Sequence, residues 1–499
     1  MHTSIYSISE SPKNGQIIWA GTDDGNLQIT RDSGKNWTNV VGNISGLGPN
    51  SWVSTVKASL YDEGTAYATF DRHTFGDMKP YAYKTTDYGK TWTSLVAPES
   101  GIRGYAHVIA EDTVDRNLLF LGTEFGLWVS IDGGKQWAQY RGSGFPAVAV
   151  RDIAIQARES DLVLATHGRG IWIIDDISSL RALDPELMAK DAVLLPTTAV
   201  QYLNSNGGWP EGDSTFFGSS RTSDAFITYY QRSRHIFGDL KIEIFDQDGK
   251  LMDTIAGSKP RGLNRATWSM RLKAPLVPAA ATAAFEAATG PRVLPGTYTV
   301  KMTKGDQVYT TQLKVALDPR ADYNAADRKA QYDLALKLSK MLSRMSYAVD
   351  SITSMRDTAT LRAAKLSSTD PLHKSLDQLS QKTDGLRSKI VATKEGGAIT
   401  GEQRIREFMT EVYGDVNGYD GRPTDDQTAR TEALGHELED VIKEFNSLTA
   451  RDLPAINTAL QKKKLETIQT LSEQQWQQAH EGDGGSQPAA GSRGFQERD

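Results

Sequence analysis

The chain has 499 residues, 38% of them hydrophobic and 24% charged, with a formal net charge of −6 and no cysteine. Lack of cysteine rules out disulfides, thiolate metal sites and cysteine nucleophiles, and argues against a eukaryotic ectodomain. A mildly acidic chain with dispersed lysines and arginines is a poor nucleic-acid binder, and no apolar run of about 18 residues is present to span a membrane. The length suits two to four domains of on the order of 100–200 residues each.

From the N-terminus, MHTSIYSISESPKNGQ has no charged segment followed by an apolar one, so no signal peptide is read there. Three segments then repeat S/T-x-D-x-G-x-x-W: Thr30, Asp32, Gly34, Trp37; Thr85, Asp87, Gly89, Trp92; and Ser130, Asp132, Gly134, Trp137. Their aspartates fall 55 and 45 residues apart (32 to 87, 87 to 132), about the length of one four-stranded propeller blade. Each follows a strand-like run such as IIWAGTDDGNLQIT or LLFLGTEFGLWVS; DLVLATHGRGIWIIDD keeps the strands but not the box, and ends the array. In such a box the Asp accepts backbone N–H bonds in a turn, the Gly takes a positive φ, and the Trp packs beneath. Recurrence in blade after blade makes these aspartates turn residues rather than catalytic acids.

Residues 181–201 read as a linker broken by Pro196. AFITYYQ, LKIEIFD, RATWSMRL, GTYTVKMT and TQLKVALD alternate apolar and polar residues, and the turns between them make 202–318 a β-sandwich of immunoglobulin-like type. Pro278–Gly290, rich in alanine, reads as an inserted flexible loop. From Asp322 the period changes: Leu338, Leu342, Met345, Val349, Ile352 and again Leu434, Leu438, Val441, Phe445, Leu448 form seven-residue seams. Residues 322–480 are therefore expected to form a helical hairpin or bundle, with a last helix near Leu453–Gln478, and 481–499 a disordered tail.

The boxes, with GTDDG, GTEFGLWVS and THGRGIWIIDD, resemble the bacterial BNR-type Asp-box β-propeller proteins, a sortilin-like and glycosyl-hydrolase-like group. The order FDQDGKLMDTI, GLNRATWSM, LPGTYTVKM is similar to sandwich modules of the flagellar hook-cap type. The resemblance covers residues 1 to about 320, and implies a multidomain, mainly β plus α protein. Its parts would be the C-terminal blades of an Asp-box β-propeller (1–180), the Ig-like sandwich and the helical bundle. A propeller closes with four to eight blades, so the expectation is that N-terminal blades lie upstream and that Met1 is internal. The resemblance also implies a secreted, periplasmic or cell-surface location.

Candidate site residues are those that break the repeat: Asp23 and Asp24 in GTDDG, Glu124 in GTEFG, His167 and Arg169 in THGRG. All stand where a strand leaves a turn. Asp24 and Glu124 are the candidate catalytic carboxylates, a general acid and base for a glycosidic bond. Asp23, His167 and Arg169 are candidate ligand-binding residues, an arginine suiting a carboxylate or a polar sugar substituent. The competing reading is structural, with Arg169 paired to Asp24 or Glu124 between blades. HExxH, P-loop, GxSxG and EF-hand signatures are missing from the sequence, so no metal or cofactor is expected. A sialidase would need an arginine triad and a tyrosine nucleophile, and no such set is found. Xyloglucanases place acid and base in different halves, which would put one partner upstream of residue 1. The expected function is recognition or scaffolding, binding a glycan or a protein or peptide; a glycoside hydrolase is the alternative.

Overall fold

The computed structural model describes residues 3–142, 144–201, 222–394 and 401–480. The chain is mixed: small antiparallel sheets shaped like propeller blades come first, and a helical region ends it. The first sheet is β1 (Ile5–Ser11), β2 (Asn14–Thr22), β3 (Leu27–Thr30) and β4 (Thr38–Asn39), paired in that order. The second repeats it with β5 (Trp52–Ala58), β6 (Ala66–Arg72), β7 (Asp77–Thr85) and β8 (Thr93–Ser94). The third has β9 (Ala106–Glu111), β10 (Leu119–Thr123), β11 (Gly126–Ser130) and β12 (Ala138–Gln139); the fourth has β13 (Val150–Gln156), β14 (Asp161–Thr166) and β15 (Ile171–Ile174).

Each box closes the turn between the third and fourth strands of its sheet. Asp32 Oδ1 accepts from Asn36 N and Thr30 Oγ1, Asp87 Oδ1 from Thr91 N and Thr85 Oγ1, and Asp132 Oδ1 from Gln136 N and Ser130 Oγ. Gly34, Gly89 and Gly134 hold φ of 90°, 81° and 91°, the left-handed region that disfavours a Cβ. Hydrogen bonds, first from Asn36, hold Asp32 at about 2. The tryptophans lean on the preceding sheet: Trp92 meets Trp19 edge-on at 5.9 Å, and Trp137 Nε1 donates to Leu95 O at 2.9 Å. Trp37 stays exposed instead of packed, because no described sheet precedes its own.

Successive sheets are packed face to face. Trp19, Leu27 and Ile29 share a core with Val53, Val56 and Phe70; Tyr67 and Ala82 with Ile109, Leu119 and Leu121; Val108, Phe120 and Leu127 with Val150, Ile153 and Leu164. The glycines of the GT pairs permit this approach. A Cβ on Gly122 would come within 2.6 Å of Val108 Cγ1 and 2.9 Å of the Val150 carbonyl oxygen. That carbonyl cannot move without breaking the next sheet, so Gly122→Ala is expected to cost about 1–3 kcal/mol. Urea unfolding followed by tryptophan fluorescence checks it; Gly144→Ala, with nothing within 4 Å but a positive φ, isolates backbone strain alone.

The helix α1 (Pro185–Ala189) leads into two more sheets. One is β16 (Ala192–Leu194), β18 (Ala225–Gln231) and β21 (Gly262–Trp268); the other runs β17 (Val200–Gln201), β23 (Gln307–Ala316), β22 (Gly296–Lys304), β19 (Lys241–Phe245), β20 (Leu251–Ala256). They face each other across one core of Ile227, Tyr229, Trp268, Ile242, Ile244, Tyr298, Val300 and Leu313. Residues 181–201, expected as a linker, are thus a correction: Ala192, Leu194 and Val200 give β16 and β17 apolar residues to pack on that core. Residues 202–221, the expected start of the sandwich, and the expected tail 481–499 lie outside the described residues.

Then come α2 (Ala325–Ala363), α3 (Pro371–Ile390), α4 (Ile405–Gly418), α5 (Asp425–Lys462) and α6 (Glu473–His480). Both seven-residue seams are buried, on α2 and α5. The expected helix near Leu453–Gln478 is divided: its first part is the end of α5, which continues through Pro454 because Leu453, Ile456 and Leu460 extend its buried seam, and its last part falls in the separate short helix α6. The expected loop Pro278–Gly290 is docked on α4. Arg406 Nε donates to Pro278 O, Tyr413 Oη to Thr289 O, and Ala287 is buried in the helical core, so its carbonyls have side-chain donors.

Candidate functional site at the rim of the four sheets

Hairpin pairing brings the start of each inner strand beside the end of the second strand. In register, Ile5 faces Thr22, Val53 faces Phe70, Ala106 faces Thr123 and Val150 faces Thr166. The next residues, Asp23, Asp71, Glu124 and His167, are therefore equivalent. Beside each of these pairs the inner strand carries one extra residue, a β-bulge: Tyr6, Ser54, His107 and Arg151. Bulges re-aim side chains and recur next to functional sites. Here the same bulge occurs in all four sheets, at one rim.

Tyr6, His107 and Arg151 converge, whereas Ser54 pairs with Thr69. Arg151 Nη1 lies 3.1 Å from His107 Nδ1, and Tyr6 and Trp52 stack edge-on against the His107 ring at 6.3 and 5.4 Å. Asp71, with no exposed side-chain surface, lies 2.6 Å from His73 Nδ1, 3.3 Å from His107 Nδ1 and 3.9 Å from Arg151 Nη1. Burial alone would raise its pKa, but hydrogen bonds, first from His107 and then from His73, hold it below the ordinary 3.8. Arg151 Nη2 donates to Tyr105 Oη at 2.9 Å, and His73 stacks on the Tyr105 ring at 4.9 Å. Burial pushes the Tyr105 phenol up. His107 Nδ1 cannot both donate to Asp71 and accept from Arg151, so the tautomer chooses between them.

The residues singled out from sequence are spread over three sheets. Asp23 Oδ1 accepts from Ser4 N, and Asp24 accepts from Thr22, Asn26 and Thr3. Those bonds, from Thr22 first, lower the Asp24 pKa. Glu124 stands against Gly104 beside Tyr105, with Oε2 buried and unpartnered among the described residues. His167 and Arg169 are exposed, and their side chains make no hydrogen bond or ion pair among the described residues; the pairing of Arg169 with Asp24 or Glu124 is not formed. Sequence reading missed Asp71, His73, His107 and Arg151. The signal was FDRH, the second-sheet counterpart of TDDG, TEFG and THGR; its longer hairpin hides it.

No protein-family model and no curated protein matches the chain. Among solved structures, it is similar to YCF48 from Cyanidioschyzon merolae (17% identity over 35% of this chain and 56% of that one, TM-score 0.26). It is also similar to YCF48 bound to D1 peptide (14%, 62% and 82%, 0.27). A third is the GH74 xyloglucanase from Xanthomonas campestris (13%, 66% and 47%, 0.28). All are distant matches to β-propeller proteins, and the chain spans about half the length of the first and third.

Proposed function

We propose that the four sheets are part of an Asp-box β-propeller of BNR, sortilin-like type that recognises a polymeric ligand, a glycan or a peptide, at the rim where the bulges converge. The observation that carries this is the shared rim of Tyr6, His107 and Arg151, re-aimed from three different sheets so that Tyr6 and Arg151 each meet His107. An immunoglobulin-like sandwich and the helices serve as spacer or docking elements, and the protein acts outside the cytoplasm of a bacterium. Recognition is favoured over glycoside hydrolysis by the carboxylates: Asp24 is engaged by Thr3, Thr22 and Asn26, and Asp71 is buried between two imidazoles, so neither is placed to protonate a glycosidic oxygen.

The test is a panel of plant and bacterial polysaccharides and peptides, scored for retention and for new reducing ends. Retention without sugar release is the expected result. Sugar release that is lost in Asp24→Ala or Glu124→Ala would replace this reading with a hydrolase.

A further inference from the structure

We propose that the rim binds an acidic glycan, with a uronate carboxylate seated on Arg151. This rests on the recognition reading and names the ligand within it. Arg151 is held rather than neutralised. Its Nη2 donates to Tyr105 Oη at 2.9 Å, its Nη1 lies 3.1 Å from His107 Nδ1, and its ion pair with Asp71 is long, at 3.9 Å. Asp71 is itself shared with two imidazoles and shows no surface to a ligand. The Arg151 side chain is 28% exposed and that of His73 beside it 35%, so both side chains reach solvent. A planar, pre-organised guanidinium with free N–H groups suits a carboxylate.

Exposed aromatic rings stand on three of the sheets: Tyr6 (51%) on β1, edge-on to His107; Phe75 (54%) in the β6–β7 hairpin, two residues from His73; and Phe125 (44%) in the β10–β11 hairpin, against Gly104 beside Tyr105. Rings on three adjacent sheets offer several stacking platforms for pyranose faces, a pattern matching a chain of acidic sugars. A peptide would ask for a free backbone ladder or an apolar groove. The inner strands β5 and β9 are almost wholly buried, which leaves a peptide the more exposed edges of β1, with Ile5, Tyr6 and Ile8, and of β13. Glu124, beside Tyr105, is the one carboxylate of the cluster with partial exposure. Its charge opposes an incoming uronate and sets a second, opposite-signed test.

The experiment titrates the full chain with oligogalacturonate, with its fully methyl-esterified form, and with a pool of short peptides bearing free C-terminal carboxylates. Binding of the acid form over the ester is expected, weakened about ten- to a hundredfold by Arg151→Ala and less by Arg151→Lys. Glu124→Gln should tighten it, and Tyr6→Ala, at an exposed position, should weaken it with the fold unchanged by circular dichroism. Equal binding of acid and ester, no binding of either, or binding confined to the peptides would overturn the acidic-glycan inference while leaving recognition standing. Release of reducing ends would sink the recognition reading itself.

Discussion

Asp112→Ala is expected to destabilise the sheets by about 3–5 kcal/mol, because it strips a buried ion pair of one partner. The Asp112 side chain has no exposed surface and accepts from Arg181 Nε and Nη2, both at 2.9 Å, in a two-pronged contact. It also accepts from the backbone N–H groups of Val114 and Asp115. Arg181 lies 69 residues on, in the turn after the fourth sheet, so this pair ties that turn to the third sheet. Arg181→Ala should cost a similar amount, and the double variant less than the sum of the two, since neither charge is then left buried alone. Urea unfolding of the four proteins gives the cycle. The pH dependence has a definite sign. Burial would raise the Asp112 pKa, but Arg181 and the backbone donors bring it below 3.8. A lowered carboxylate contributes stability above its unfolded pKa and loses it as pH falls through the folded value. The gap between wild type and Asp112→Asn should therefore be constant from neutral pH to about 5 and shrink below about 4.

Asp71→Ala is expected to be the second severe change, at about 3 kcal/mol, because two imidazoles and a guanidinium would then face an empty buried position. Asp71→Asn keeps an acceptor for His73 and should cost less. The lowered Asp71 pKa gives the same acid-side loss. Unlike Asp112, Asp71 also anchors the rim, so Asp71→Asn should lower ligand retention even under conditions where it stays folded. A calorimetric melt and a binding titration on the same sample separate the two effects.

The boxes and their spacing made the blade-like sheets readable in the sequence, since each turn is built from residues within eight positions of one another. The seven-residue seams of α2 and α5 marked the helical region for the same reason: period is a local property. The rim was not readable in this way. Asp71 meets His107 and His107 meets Arg151 across 36 and 44 residues, from three different sheets. FDRH marks the turn that holds Asp71 but not the partners it meets, and each bulge exists only as a mismatch between two paired strands. The same limit explains β16 and β17, whose few residues became strands because a distant core accepted their apolar side chains. Turns and periodic faces were determined by the sequence itself, because neighbouring residues decide them. Which side chains share one site was decided by strand register and sheet packing, because those bring together residues that the chain keeps apart.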